Sequence, residues 1–461
     1  MRRIRHSDDE LAPTYASRDF SRPVPRDRIP DRGMPADVAS QLVRDELQLD
    51  GNPALNLASF VTTWMEPEAD RLAVDTLNKN LIDQDEYPRT DEIHRRVVSM
   101  IGRLFHAPEH ETPVGSCTVG SSEAIMLGML AHKFAWRKRR MAAGLPAERP
   151  NVVFGADVHT CWEKFALYFD VEARIAPLSA DCHILTPEAV EARVDENTIG
   201  VGCVLGTTFT GQVDRIAEID ALLDRLHAEH GWDIPIHVDA ASGGFVVPFA
   251  DPDFAWDFRL GRVRSINVSN HKYGLVYPGI GTVVFRDASC LPDELVFKIS
   301  YLGGEMSNYS LNFSRASNQV LLQYYNFLRL GHEGYARILR NVMDNARYLE
   351  DRLDRLGRFR RLSDAKSIPI VAITLADPAE PPETLDLISE VLRERGWIVP
   401  AYPLPPDAQH IRVLRAVVRE NFSRDLAGLF ADDVEAALAR VDRLRPAPQS
   451  DASTGRSPGV C

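Results

Sequence analysis

From about residue 54 onward the chain alternates helix-spaced apolar positions with short unbroken apolar runs. The runs 151–154, 199–205, 234–239 and 265–268 read as buried strands, because a strand covered on both faces needs no polar side. Between them, 121–140, 161–169 and 216–230 repeat apolar residues at i, i+3 and i+4 and read as helices. Strands alternating with helices predict an α/β fold, with a mostly parallel sheet between helical layers. Ligands in such sheets bind at the carboxyl ends of the strands. Chemistry is therefore expected in the residues that follow these runs.

The pattern restarts on a smaller scale near the C-terminus. Helices at 318–330 and 334–356 lead to a strand at 370–375 and a helix at 383–395. Strands at 397–399 and 411–417 and a helix at 425–441 follow. The expected organisation is an N-terminal arm and helix (1–53, the helix at 36–49), a large domain (54–342), a small α+β domain (343–446) and a tail (447–461). The tail holds little that could be buried, and disorder is expected there.

Composition removes some classes. The net charge of −13 argues against a general nucleic-acid binder. It leaves room for an anionic substrate held by a few local cations. The six cysteines form no CxxC pair and no zinc spacing, so no metal site is expected. Scattered thiols suit a reducing compartment, which makes the cytoplasm the expected location. Neither a signal peptide nor a membrane-spanning run is read.

Three groups at predicted strand ends and helix starts carry the chemistry. Lys272 closes Ser269-Asn270-His271-Lys272, directly after the run 265–268. Packing explains a lysine poorly there, whereas its amine suits imine formation with a carbonyl cofactor. His271 beside it is placed to donate to a phosphate. Asp239 ends the run 234–239, and a buried carboxylate keeps a pyridine nitrogen protonated. Ala240 and Ala241 are small enough for a flat ring to approach. Alone, Asp239 is as readily a turn cap; with Lys272 one strand further on, pyridoxal phosphate (PLP) chemistry accounts for both. Gly120-Ser121-Ser122-Glu123 opens a helix, in isolation more readily a plain N-cap with Glu123 nearby, but beside Lys272 and Asp239 its free N–H groups and dipole suit the cofactor phosphate.

These motifs resemble those of the glutamate decarboxylases, fold type I PLP enzymes of the group II decarboxylase family. The likeness runs in order from about Asp45 to Phe422. It includes Asn78-Lys79-Asn80-Leu81-Ile82-Asp83, Trp256-Asp257-Phe258-Arg259-Leu260, Tyr301-Leu302-Gly303-Gly304 and Asn312-Phe313-Ser314-Arg315. The resemblance implies a PLP-dependent transferase-like fold and α-decarboxylation of L-glutamate to γ-aminobutyrate and CO2. It makes Lys272 the lysine that takes the cofactor aldehyde and Asp239 the partner of the ring nitrogen. Ser121, Ser122, Ser269 and His271 would hold the phosphate, Thr208 would meet the O3′ side, and Ala241 would lie beside the ring. Ser314 would reach the phosphate from a neighbouring subunit, implying a homodimer with shared sites, and a hexamer as a further option. Ser59 and Phe60, with Asp83 of the partner subunit, would recognise the distal carboxylate, and Arg415 the α-carboxylate. Tyr301 and Leu302 would lie on a hairpin closing the partner's site, with Tyr301 returning a proton to Cα.

Two departures stand out. Glutamate-specific members stack a Gln on the ring where this chain has His159, as related aromatic-amino-acid and histidine decarboxylases do. His159 is expected to stack, which keeps an aromatic amino acid, or cysteine sulfinate, as the alternative substrate. A non-catalytic scaffold is the more distant alternative. No histidine follows His410, so the C-terminal plug that closes some bacterial members as pH rises is not expected.

Overall fold

The computed structural model describes residues 24–179, 181–299, 306–364 and 367–444. The chain divides into two compact units, Met1–Leu55 and Asn56–Cys461. In the first, helix α1 (Ala36–Leu47) starts where predicted and stops two residues early. The predicted tail and the arm up to residue 23 lie outside the described residues.

The second unit is built on seven strands: β1 (Val114–Thr118), β2 (Asn151–Gly155), β3 (Glu172–Ala176), β4 (Thr198–Val204), β5 (Ile236–Asp239), β6 (Val263–Val268) and β7 (Gly281–Phe285). Their spatial order is β1-β7-β6-β5-β4-β2-β3. Strands β2 to β6 pair in parallel, and β7 is antiparallel to both of its neighbours. All four predicted runs are strands, with ends displaced by at most two residues. Helices α2 (Pro67–Asp75), α3 (Pro88–Leu104), α4 (Ser121–Ala142), α5 (Cys161–Tyr168), α6 (Pro187–Glu191), α7 (Ile216–His230) and α8 (Val247–Ala250) accompany this sheet.

Helix α4 sets the position of the site. Ile125, Met129 and Trp136 pack with Val152 and Phe154 of β2, Ile199 of β4 and Phe165 of α5. Ala124, Leu127 and Ala131 pack with Val283 and Phe285 of β7. Held on two sides, the helix brings its first residue, Ser121, within hydrogen-bond distance of Asn267 near the carboxyl end of β6.

A short hairpin, β8 (Phe297–Ile299) and β9 (Met306–Asn308), precedes the long α9 (Asn318–Asp354). The two helices predicted here are one element interrupted at Gly331, whose φ of 58° breaks the helical path. The remaining strands, β10 (Phe359–Arg361), β11 (Ile370–Leu375), β12 (Ala401–Pro403) and β13 (Arg412–Val417), form an antiparallel sheet in the order β10-β11-β13-β12. Helices α10 (Thr384–Arg393) and α11 (Arg424–Leu444) accompany it. The strand predicted at 397–399 is absent. Trp397 is buried there by edge-on packing against Phe430, with ring centres 5.1 Å apart, rather than by strand pairing. Ile398 makes a single bridge to Asn56.

Candidate active site

A cavity of about 170 Å³ opens at the carboxyl ends of β4, β5 and β6. Ser121, Ser122, His159, Thr208, Asp239, Ala241, Ser269, His271 and Lys272 all line it. Nine residues predicted from five separate stretches of chain are thus brought to one place.

Asp239, the last residue of β5, is buried and receives three N–H donors. Trp162 Nε1 donates to Oδ2 at 3.0 Å, Asn267 Nδ2 to Oδ1 at 3.0 Å, and the Ala241 amide to Oδ1 at 3.1 Å. Its orientation is therefore fixed from both sides.

At the other end, the first turn of α4 presents N–H groups that have no partner within the helix. Ser121 Oγ accepts from Ser269 Oγ at 2.7 Å and from Asn267 Nδ2 at 3.1 Å, which leaves its own hydrogen to donate. His271 Nδ1 accepts the Ile280 amide at 3.3 Å, so the neutral ring carries its hydrogen on Nε2. Burial pushes this imidazole down to about 4, with Lys272 adding to the effect. Two hydroxyls, a fixed imidazole N–H and a helix terminus make a donor set for a phosphate.

In the same cavity Lys272 Nζ donates to Ser242 Oγ at 3.0 Å and lies 4.8 Å from the centre of the Phe60 ring. Burial pushes its ammonium down to about 8, while Asp239 pulls the other way. Arg415, on β13, lies 5.1 Å from the same ring. Its guanidinium donates to the carbonyls of Thr208 at 2.7 Å and Ala58 at 2.6 Å, and its buried Nε has no partner among the described residues. Five donors with two spent leave some for a carboxylate. Ser59 adjoins Phe60, its hydroxyl accepting the Val61 amide at 3.2 Å. His159 is exposed at the rim, with Nδ1 3.2 Å from Cys161 Sγ.

Asp83 and Ser314 do not line this cavity. They meet instead at Asn80, whose Nδ2 donates to Asp83 Oδ1 and Ser314 Oγ, both at 3.3 Å. Tyr301 and Leu302 lie outside the described residues. Sequence reasoning missed Asp157, which lines the cavity fully buried with neither carboxyl oxygen partnered among the described residues. Burial, together with the nearby Asp239, pushes it up to about 7. It also missed Asn267 and Trp162, the side chains that hold Asp239.

An anion cradle, a lysine amine and a clamped carboxylate lining one cavity fit a group that carries a phosphate, an aldehyde and a basic ring nitrogen. That combination defines a PLP-dependent enzyme of fold type I. Residues 30–376 match the model of the pyridoxal-dependent decarboxylase conserved domain, and the chain belongs to that family. It is 53% identical to glutamate decarboxylase 5 of Arabidopsis thaliana over 95% of this chain and 89% of that one. It is 50% identical to a glutamate decarboxylase of Solanum lycopersicum over 96% and 88%. A solved Lactobacillus brevis glutamate decarboxylase superposes with a TM-score of 0.90 at 44% identity, covering 95% of this chain and all of that one. No described helix is long and apolar enough to cross a membrane.

Proposed function

We infer that this chain is a carboxy-lyase that removes the α-carboxylate of L-glutamate with PLP as cofactor, giving γ-aminobutyrate and CO2. The observation that carries the reading is the convergence of Lys272, Asp239 and the Ser121 turn on one cavity, with the Arg415 guanidinium bonded to the carbonyl of Thr208, one of its lining residues. Relatives about half identical over nearly the whole chain, all glutamate decarboxylases, support the substrate.

PLP, when bound, supplies an electrophilic aldehyde and an electron sink. The chain's own residues do the rest. Lys272, pushed down to about 8, keeps roughly a tenth of its amine neutral at pH 7, enough to act as a nucleophile. Asp239 would partner the ring nitrogen and keep it protonated. Ser121, Ser122, Ser269 and His271 hold the phosphate, Thr208 and Ala241 border the ring, and His159 covers it. Arg415 would bind and orient the substrate α-carboxylate. Ser59 and Phe60, with Asp83 of the partner subunit, would flank the distal carboxylate, and Tyr301 of the partner subunit would return the proton to Cα.

Asp83 and Ser314 sit together outside the cavity of their own chain. This supports their delivery to a neighbouring copy, and the functional unit proposed is a homodimer with shared sites, able to assemble further to a hexamer. The described cysteines are all free thiols, in keeping with a cytoplasmic location.

One observation favours a second reading. The resemblance puts His159 where glutamate-specific members of the family carry Gln, which points to an aromatic amino acid. A panel of L-glutamate, aromatic amino acids and cysteine sulfinate, each labelled at C1, decides between them by the CO2 and amine formed. Glutamate is expected to exceed every competitor in kcat/KM. Greater turnover of an aromatic substrate would overturn the assignment.

A further inference from the structure

Strands β5 and β6 carry a line of buried polar side chains that leads away from the cavity beneath α4. The strands pair His237 with Ser265 and Asp239 with Asn267. Residues two apart on a strand share a face, so all four project to the same side. His237, Ser265 and Asn267 are 0% exposed. Burying polar groups so completely is costly unless each is hydrogen-bonded.

We infer that His237 and Asn267 are positioning residues that hold the Asp239 carboxylate and the Ser121 hydroxyl in the one orientation that serves ring nitrogen and phosphate together. The inference rests on the assignment of Asp239 to the ring nitrogen.

Asn267 spans the two ends of the site: its Nδ2 donates to Asp239 Oδ1 at 3.0 Å and to Ser121 Oγ at 3.1 Å. A carboxylate only accepts, so the nitrogen side of the amide must face Asp239. The amide oxygen then faces His237 Nε2 at 2.8 Å and, being an acceptor, requires a hydrogen on that nitrogen. Burial pushes His237 down to about 4, so the ring is neutral near pH 7 and has one N–H to give. Its Nδ1 is consequently a lone pair, and it accepts the hydroxyl of Ser265 at 2.7 Å. Ser265 Oγ in turn accepts from His132 Nε2 at 2.9 Å.

Every hydrogen in this series points toward Asp239, from His132 through Ser265, His237 and Asn267. Bonds aligned this way polarise one another and complement the negative charge at the end. The opposite tautomer of His237 would set a lone pair against the Asn267 oxygen. The amide would turn, placing its oxygen against the carboxylate and withdrawing a donor from Ser121. The imidazole tautomer thus decides the geometry of both ends of the cofactor site. The place for the ring is built: a Cβ at Gly128 of α4 would lie 2.5 Å from His237 Cε1 and 2.6 Å from its Nδ1.

The test is nitrogen NMR of the holoenzyme, with 15N in the histidines and in the cofactor ring. In the parent the ring nitrogen is expected protonated, and His237 neutral with its hydrogen on Nε2. In His237→Leu the ring-nitrogen signal moves toward the unprotonated position, and the PLP dissociation constant rises about tenfold or more, the order for a lost hydrogen bond to a charged group. His237→Gln, whose amide nitrogen still reaches the Asn267 oxygen, recovers most of both. Unchanged shift and affinity in His237→Leu would overturn the inference. Should the variants fail to fold, the parent spectrum still decides, since His237 found as an imidazolium or with hydrogen on Nδ1 also overturns it. An unprotonated ring nitrogen in the parent would instead overturn the assignment of Asp239, and is seen before any substitution is made.

Discussion

The indole of Trp162 occupies the space that a side chain at Gly202 would need: a Cβ there would lie 2.4 Å from two of its ring carbons. The same indole donates to Asp239, so β4 lends its missing side chain to the cofactor site. Two substitutions test the two roles, one changing packing alone and the other packing together with the hydrogen bond. Gly202→Ala overpacks the sheet face and is expected to cost about 1–3 kcal/mol of stability. Trp162→Phe loses both the donor to Asp239 and part of a fully buried ring, so PLP should bind roughly tenfold more weakly and the denaturation midpoint should fall as well. Denaturation and PLP titration of both variants check this.

Lys272 makes the cofactor-free protein sensitive to alkali in a definite direction. Its pKa in the folded chain, about 8, lies below the ordinary 10.5. The folded chain therefore binds fewer protons than the unfolded one between those values, and stability rises with pH across that window. The cost of the buried ammonium is fully present below pH 8. Lys272→Met should raise the stability of cofactor-free protein at pH 7 by on the order of 3 kcal/mol and flatten its rise toward pH 10. Urea midpoints at several pH values measure both.

Asp157 acts in the opposite sense. Its carboxyl is pushed from 3.8 up to about 7, so between those values the folded chain binds more protons than the unfolded one. Stability then falls as pH rises through that window. Buried Asp214, also pushed up by burial and by Asp157, strengthens the effect. Asp157→Asn keeps the shape and removes the charge, and its urea midpoint should lose much of the parent's decline between pH 5 and pH 8.

How much of this was legible in the sequence depended on where each side chain finds its partner. Asp239 and Lys272 were legible because each follows a short apolar run whose end in an α/β sheet is a place for ligands. Trp162 and Asn267 were not, since an indole on an apolar helix and an asparagine in a strand acquire meaning only when β4, β5 and β6 lie side by side. Strand β1 escaped notice because Val114-Gly115-Ser116-Cys117-Thr118 is small and polar, and antiparallel pairing with β7 rather than strand propensity makes it a strand. Helix α3 escaped because Arg95, Arg96 and Arg103 interrupt the few apolar positions it buries, Val97, Val98 and Ile101. At 397–399 the apolar run was real, and its burial comes from ring packing.

Arg415 gives the most direct view of substrate binding. Arg415→Lys keeps a positive charge but cannot serve two carbonyls and a carboxylate with one planar fork. The PLP content of the variant should stay near that of the parent, while kcat/KM for glutamate falls by about 10–100-fold, the loss expected for a charge-assisted hydrogen bond. Steady-state kinetics with measured PLP occupancy tests it, and an unchanged kcat/KM would remove Arg415 from the substrate site.

The central claim is that Lys272 carries the cofactor. Reducing the PLP-loaded protein with borohydride and mapping the modified peptide by mass spectrometry tests it most directly. One phosphopyridoxyl group per chain is expected, on Lys272, and none after Lys272→Ala. Modification of another lysine, or of none, would contradict it.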